Sequence, residues 1–415
     1  MESVPSKFSK SSIYLTFFLD NLGIGIIFPI FTPLFFDPKY HFLKNPTSLS
    51  ESSILLGLLI AFFPLAQFFG APLIGDLSDQ IGRKKAFSLS ILGSIIGYTC
   101  MGIAIDTHSV KMLFLSRMLS GFFAGNLSIC LASLVDMSHN KLQRAKNFSL
   151  LATFGGLSFI SSVSIGGFFS NPDKGKYFGP SLPFFIIATL FVLNLCLILL
   201  FFKESYQKPG SSHFSMLKGI HNITHALKLP VLKKAYLVFF FYMTGWITSV
   251  QFFPEYLIKY YNLTPVHITY IYIGIGIAWG AANFIYSKFL AILINPKKAL
   301  FGSLLLLSMI IFFFIFLTQL PLSAFLSFFY QAVALAAVSW SNCIINVSLH
   351  AADDIQGKIL GINQSFAALA AIVGPITGGF IAGYDPRLVY LFTSIFCMLA
   401  FLILLSSQFK SQTTI

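Results

Sequence analysis

Asp20 sits where an acid is expensive. It lies about eight residues into an apolar run from 13 to 34, roughly 12 Å deep at 1.5 Å per helical residue. A carboxylate at that depth costs about 2.5–3.5 kcal/mol on insertion scales unless it faces a cavity or carries a proton. Thr16, Asp20 and Gly23 share one helical face, with Asn21 beside them. Two chemistries fit: reversible proton binding, or a structural acid bonded to neighbouring helices. Arg117, in Leu113-Phe-Leu-Ser-Arg-Met-Leu-Ser-Gly121, is a second charge in an apolar run. It can snorkel to the outer interface. Gln67 is a lone amide in Gln67-Phe-Phe-Gly-Ala-Pro-Leu-Ile-Gly75, placed to line a cavity or to bridge two helices. A charged turn follows: Gly75-Asp-Leu-Ser-Asp-Gln-Ile-Gly-Arg-Lys-Lys85. Here Asp79 can cap or pair, Gly82 can turn, and Arg83 can form ion pairs, with Asp136 among the acids in reach. His350 and Asp354 are four apart, but no third ligand is near, so a loop contact is expected and no metal.

Enzyme chemistry finds no footing. There is no GxxxxGK[ST], no HExxH, and no adjacent acid pair beyond Asp353-Asp354. No cofactor is expected. The five cysteines fall in apolar segments without a CxxC pair and read as buried thiols.

These residues need membrane helices to hold them. The chain is 56% apolar and only 10% charged, has a mean hydropathy of +0.80 and carries 49 Phe. A soluble protein carries about 25% charged residues. Twelve apolar segments follow in order, about 13–34, 53–75, 86–105, 109–135, 148–169, 182–202, 235–257, 266–290, 299–319, 322–347, 359–383 and 387–407. Each is long enough to span a bilayer. The first is too long for a signal-peptide core and is expected to be retained. The fold class is therefore all-α and polytopic.

Charge sets the orientation. With both termini inside, the inner loops hold 19 Lys and Arg and the outer loops 7. That asymmetry follows the positive-inside rule and accounts for a net charge of +13 without nucleic acid. The chain divides into a six-helix bundle over 1–202, a linker over 203–234 and a second bundle over 235–415. In the linker Phe214, Leu217, Ile220, Ile223 and Leu227 recur at helical spacing, which predicts an amphipathic helix on the inner surface.

The bundles look like repeats. The fifth segment reads Gly156-Leu-Ser-Phe-Ile-Ser-Ser-Val-Ser-Ile-Gly-Gly167 and the eleventh Ala368-Leu-Ala-Ala-Ile-Val-Gly-Pro-Ile-Thr-Gly-Gly379, 212 positions apart. Gly374-Pro375 marks a hinge in the eleventh. The second bundle offers polar cavity candidates: Thr244, Trp246 and Gln251; Asn283; Trp340, Asn342 and Asn346; and Gln364. The two Trp rings suit a planar ligand, or packing. Glu255, after Pro254, is expected at the outer rim.

Gly-x-Leu-Ser-Asp-x-x-Gly-Arg-Lys-Lys resembles the loop between helices 2 and 3 of the major facilitator superfamily, with Gln80 where that family usually has Arg or Lys. Leu19-Asp-Asn-Leu-Gly-Ile-Gly-Ile-Ile-Phe-Pro29 is similar to helix 1 of its drug:proton antiporters, tetracycline exporters especially. The resemblance implies a twelve-helix fold of two six-helix pseudo-repeats and a secondary transporter working by alternating access, driven by a proton gradient. It implies that Asp20 lines the central cavity and couples to protons, that Arg117 acts near that site, and that Gly75, Asp79, Gly82, Arg83 and Asp136 form a conformational latch. Antiporters usually carry Gly-Pro before the final Gly-Gly of helix 5; here those places hold Ser162 and Val163. Export of an amphipathic or drug-like molecule from a bacterial inner membrane, by a monomer, is the leading expectation. Import of a nutrient or siderophore is the rival, and a membrane sensor the remote one.

Overall fold

A computed structural model describes residues 7–40, 42–43, 48–138, 141–204, 217–228, 230–348 and 356–411. His350, Asp353 and Asp354 lie outside them, and so does Phe214 of the linker. Among the described residues twelve helices are long and apolar enough to cross a membrane. They are α1 (Ser9–Phe36), α2 (Ser50–Ile81), α3 (Arg83–Asp106), α4 (Val110–Asp136), α5 (Lys146–Phe169), α6 (Leu182–Phe201), α7 (Leu232–Tyr261), α8 (Pro265–Leu290), α9 (Pro296–Phe313), α10 (Leu322–Ile345), α11 (Ile362–Tyr384) and α12 (Arg387–Ser406). Large apolar side chains such as Leu115, Leu199 and Ile277 are exposed, as a lipid-facing surface requires. The linker contains a helix, Lys218–Lys228, with Ala226 buried and Ile220 exposed.

The chain forms two compact units, 1–45 with 62–218 and 46–61 with 219–415. A division by sequence order does not anticipate this: the first turns of α2 pack with the second unit. Within the first unit α1 packs on α5 and α6, and α3 on α4 and α6. Within the second, α7 packs on α11 and α12, and α9 on α10 and α12. The same neighbours recur six helices later, which is the pseudo-repeat in three dimensions.

Two helices of the first unit are interrupted. α1 breaks at Ile26, because Pro29 has no N–H to offer Gly25 and Pro33 none to offer Pro29. α4 breaks at Ala124 and Gly125. Beside that break α2 and α4 approach until only hydrogen fits between them. A Cβ on Gly121 would stand 2.3 Å from the Phe63 carbonyl oxygen, and one on Gly125 2.7 Å from Ala71 Cα.

In the second unit Asp385 closes the turn between α11 and α12. It accepts from the Arg387 guanidinium at 2.6 and 2.9 Å, from the Arg387 amide at 2.9 Å and from Tyr260 Oη at 2.7 Å. Partial burial alone would raise its pKa; those hydrogen bonds outweigh it and push the carboxyl down to about 2.

Two outcomes follow from this packing. Gly121→Ala should lower stability in thermal unfolding by about 1–3 kcal/mol through overpacking. Gly156→Ala, where nothing lies within 4 Å of the added methyl, should leave stability unchanged or slightly raised. A depressed carboxyl pKa stabilises the fold above the ordinary carboxylate range and loses that contribution as pH falls toward 2. Asp385→Asn should therefore melt lower than the wild type at neutral pH, and the gap should close on strong acidification.

Candidate functional site

The helix break in α4 builds the first site. Asn126 is the first residue after it, and its side-chain amide Nδ2 donates to Asp20 Oδ1 at 3.0 Å. Asp20 Oδ2 is buried and has no partner among the described residues. The carbonyl of Ala124, at the break, accepts from Gln67 Nε2 at 2.6 Å. Gln67 is thus a bridge between α2 and α4. Asn21 turns away from the site and donates to Phe17 O on its own helix. α1 begins at Ser9, so Asp20 lies deeper along it than a start at 13 implies.

Arg117 does not snorkel; it is 2% exposed. Its guanidinium lies over Phe63, 4.6 Å from the ring centroid, and 5.4 Å from that of Phe31. Nε and Nη1 find no hydrogen-bond partner among the described residues. Tyr98, buried and stacked on Phe191, feels the charges of both Arg117 and Asp20. Its hydroxyl occupies the space that a Cβ on Gly23 would fill, 2.0 Å away. An acid, an amide, a phenol and a guanidinium thus converge in an apolar setting, where each charge acts far more strongly than in water.

The charged turn forms the second cluster. Arg83 is buried and its Nη1 donates to Ser78 Oγ at 2.6 Å and Asp79 Oδ1 at 2.5 Å; its Nε donates to Asp136 Oδ2 at 3.4 Å. Gly82 holds φ +93°, open to glycine at little cost. A side chain there would strike the carboxylate of Glu204, which accepts from the Arg83 amide at 2.9 Å and the Lys84 amide at 3.1 Å. Glu204 therefore caps α3 with a full negative charge at its positive end. Gly75 faces Ser128, where a Cβ would meet Oγ at 3.2 Å.

The second-unit candidates separate into groups. Trp246 stacks on Trp279, centroids 6.0 Å apart. Asn283 Oδ1 accepts from Ser341 Oγ at 2.6 Å, and Asn342 Oδ1 from Tyr286 Oη at 2.7 Å, tying α8 to α10. Trp340 packs on Phe239. Thr244 is buried and donates to its own helix at Phe240 O. Gln251 Oε1 is buried without a partner among the described residues, and Gln364 is exposed. Asn346 lies in α10's helix, beyond the described side chains. Gly374 meets Thr248 of α7 closely, and Pro375 sits inside α11. Glu255 is not at a rim: it is 4% exposed.

Sequence reasoning missed Asn126, Tyr98, Glu204, Trp279 and Tyr286. Asn126 follows Gly125, and a polar residue after a glycine in a long apolar run was the available signal. The others are ordinary residues until folding supplies their neighbours.

Residues 13–318 and 235–413 match the Major Facilitator Superfamily profile. The chain belongs to this superfamily. It is 26% identical over 237 residues to the class B tetracycline resistance protein of Escherichia coli, covering 57% of this chain and 54% of that protein, so this match spans about half the relative's length. It is 24% identical over 393 residues to the class H tetracycline resistance protein of Pasteurella multocida, covering 90% and 88%. The crystal structure of the human organic anion transporter MFSD10 (TETRAN) superposes with a TM-score of 0.68 at 20% identity, covering 97% of this chain and 100% of that one, which speaks for the fold. This chain is a multi-pass membrane transporter and not an enzyme.

Glu204→Ala should cost about 0.5–2 kcal/mol in thermal unfolding, since a helix start loses its cap. Lys85→Ala, on an exposed side chain one residue beyond the capped amides, should stay within about 0.5 kcal/mol of the wild type.

Proposed function

We infer that this chain is a proton-coupled exporter of an amphipathic, drug-like organic molecule, and that it works by alternating access. The observation that carries this reading is Asp20: deep in α1, bonded through one oxygen to Asn126, the other oxygen buried and bare. A carboxyl held this way can take a proton on one side of the membrane and release it on the other. Arg117, held against Phe31 and Phe63, favours release when the site rearranges around it. Tetracycline resistance in two relatives supports export as the direction and a planar amphipathic cargo. The Trp246–Trp279 stack offers an apolar, planar surface for such a cargo, with Gln251 and Asn283 as polar candidates nearby in sequence and Asn342 joined to α8 through Tyr286.

The cluster at the charged turn acts as the latch. Gly82 and Glu204 fix the start of α3, so Arg83 is aimed at Asp79 and Asp136. An ion pair that buried Arg83 must leave gives the conformational change a threshold. The proton gradient is the energy source, and no cofactor takes part. Both termini are inside, by charge asymmetry. The protein works as a monomer in a bacterial inner membrane, touching lipid and a small-molecule substrate. Ser162 and Val163 in α5, where antiporters usually have Gly-Pro, favour import as the second reading.

Inverted membrane vesicles test it, with tetracycline and a lipophilic dye as probes. Uphill uptake that collapses with an uncoupler, and that falls in Asp20→Asn to the level of vesicles lacking the protein, is the expected result. Flux indifferent to the gradient, or unchanged in Asp20→Asn, overturns proton coupling at Asp20. Gradient-driven uptake of such probes in right-side-out vesicles alone would reverse the direction.

A further inference from the structure

A second carboxylate is buried in the molecule, and the mechanism above does not use it. Glu255 lies in α7, six residues before the helix ends at Tyr261, roughly 9 Å along the axis at 1.5 Å per residue. Ser53, in the first turns of α2, donates Oγ to Glu255 Oε1 at 2.7 Å. Oε2 is buried and has no partner among the described residues. One turn earlier on the same side of α7, the amide oxygen of Gln251 is also buried and bare. Two acceptors without a donor, a turn apart, are what a site looks like when a proton belongs in it.

The surroundings are otherwise short of charge. Lys259 stands one turn beyond on α7. From α12 the buried phenol of Tyr390, its hydroxyl unpartnered, lies in electrostatic reach, with Tyr256 and Tyr272 behind it. Arg387 and Asp385 neutralise each other and are engaged by Tyr260. From α2 Glu51 precedes Ser53 by two residues and is exposed. No cation sits against Glu255 among the described ion pairs. The segment of α2 that carries Ser53 is itself clamped to α11: a Cβ on Gly57 would stand 2.3 Å from the Pro375 carbonyl oxygen, and one on Gly379 2.7 Å from that of Ser53. The Ser53 hydroxyl is thereby fixed where it meets the carboxylate.

We propose that Glu255 is a second proton-binding group of this transporter, with the clamped Ser53 hydroxyl as the donor that holds its ionised form. Gln251 Oε1 accepts from the protonated form. The proposal rests on the proton-coupled reading only for the use of this proton in transport. Proton binding itself stands on the geometry of Glu255, Ser53 and Gln251.

The full-length protein in lipid nanodiscs is titrated while infrared difference spectroscopy follows the carbonyl stretch of neutral carboxyl groups. Wild type is compared with Glu255→Gln, Asp20→Asn and Ser53→Ala. Glu255→Gln should remove one component of the band and lower the protons taken up on acidification by about one per chain. The component that Asp20→Asn removes should remain. Ser53→Ala should keep the Glu255 component but bring it in at higher pH than the wild type, because the ionised form has lost a donor. An unchanged band and proton count in folded Glu255→Gln overturns the proposal. Should that variant not fold, an unmoved component in Ser53→Ala overturns it. Loss of flux in Asp20→Asn tests the transport reading separately, so the two can fail independently.

Discussion

Backbone polar groups inside a membrane protein must find partners within the protein, and the break in α4 is where this chain departs from the simplest way of meeting that demand. At Ala124 the helical ladder stops. The Ala124 carbonyl takes a hydrogen bond from Gln67 of α2, at 2.6 Å. The helix restarts at Asn126, whose side chain is then turned to Asp20 of α1. One interruption thus fixes three helices at one level and puts a donor on the buried acid. The glycines along α2 and α4 allow the approach, since any larger residue would push the helices apart before Gln67 reached across.

The same economy appears in how charge is placed. Buried charges in the first unit are not paired in the usual surface manner. Arg117 is held by aromatic faces, Asp20 by one amide, Arg83 by a hydroxyl and two acids. The first two arrangements leave bonding capacity unused, at Arg117 Nε and Asp20 Oδ2. A fully satisfied buried network rigidifies; one with bare atoms has somewhere to go when a proton or a ligand arrives. In the second unit the polar groups are more completely used up. Tyr286 with Asn342, Asn283 with Ser341, and Asp385 with Arg387 and Tyr260 are closed pairs or triads. Glu255, Gln251 and Tyr390 depart from that pattern.

The charged turn shows how a short motif depends on residues far away in sequence. Gly82 can adopt its positive φ anywhere, but its conformation matters here because Glu204, 122 positions later, fills the space where a side chain would be. That carboxylate caps α3 and so sets the direction in which Arg83 leaves the helix start. The motif between two helices is completed by the end of a third.

Much of this protein was legible from its residues. Twelve spans, the repeat and the charged turn follow from hydropathy and from glycine and proline placement, because lipid imposes length and apolarity on every spanning segment. The costly Asp20 was visible for the same reason: a charge in an apolar run stands out. What such a charge touches is not local information. For Arg117 a snorkelling side chain and a group near the proton site were both open, and Glu255 read as a rim residue; packing buried both. Asn126 was missed in sequence, and the α4 break aims it at Asp20. The sequence by itself determined the helices, their number and the membrane they need, because those depend on runs of residues along one chain. Only the tertiary structure decided which polar groups meet, because hydrogen-bond distances depend on how helices far apart in sequence are brought to the same depth.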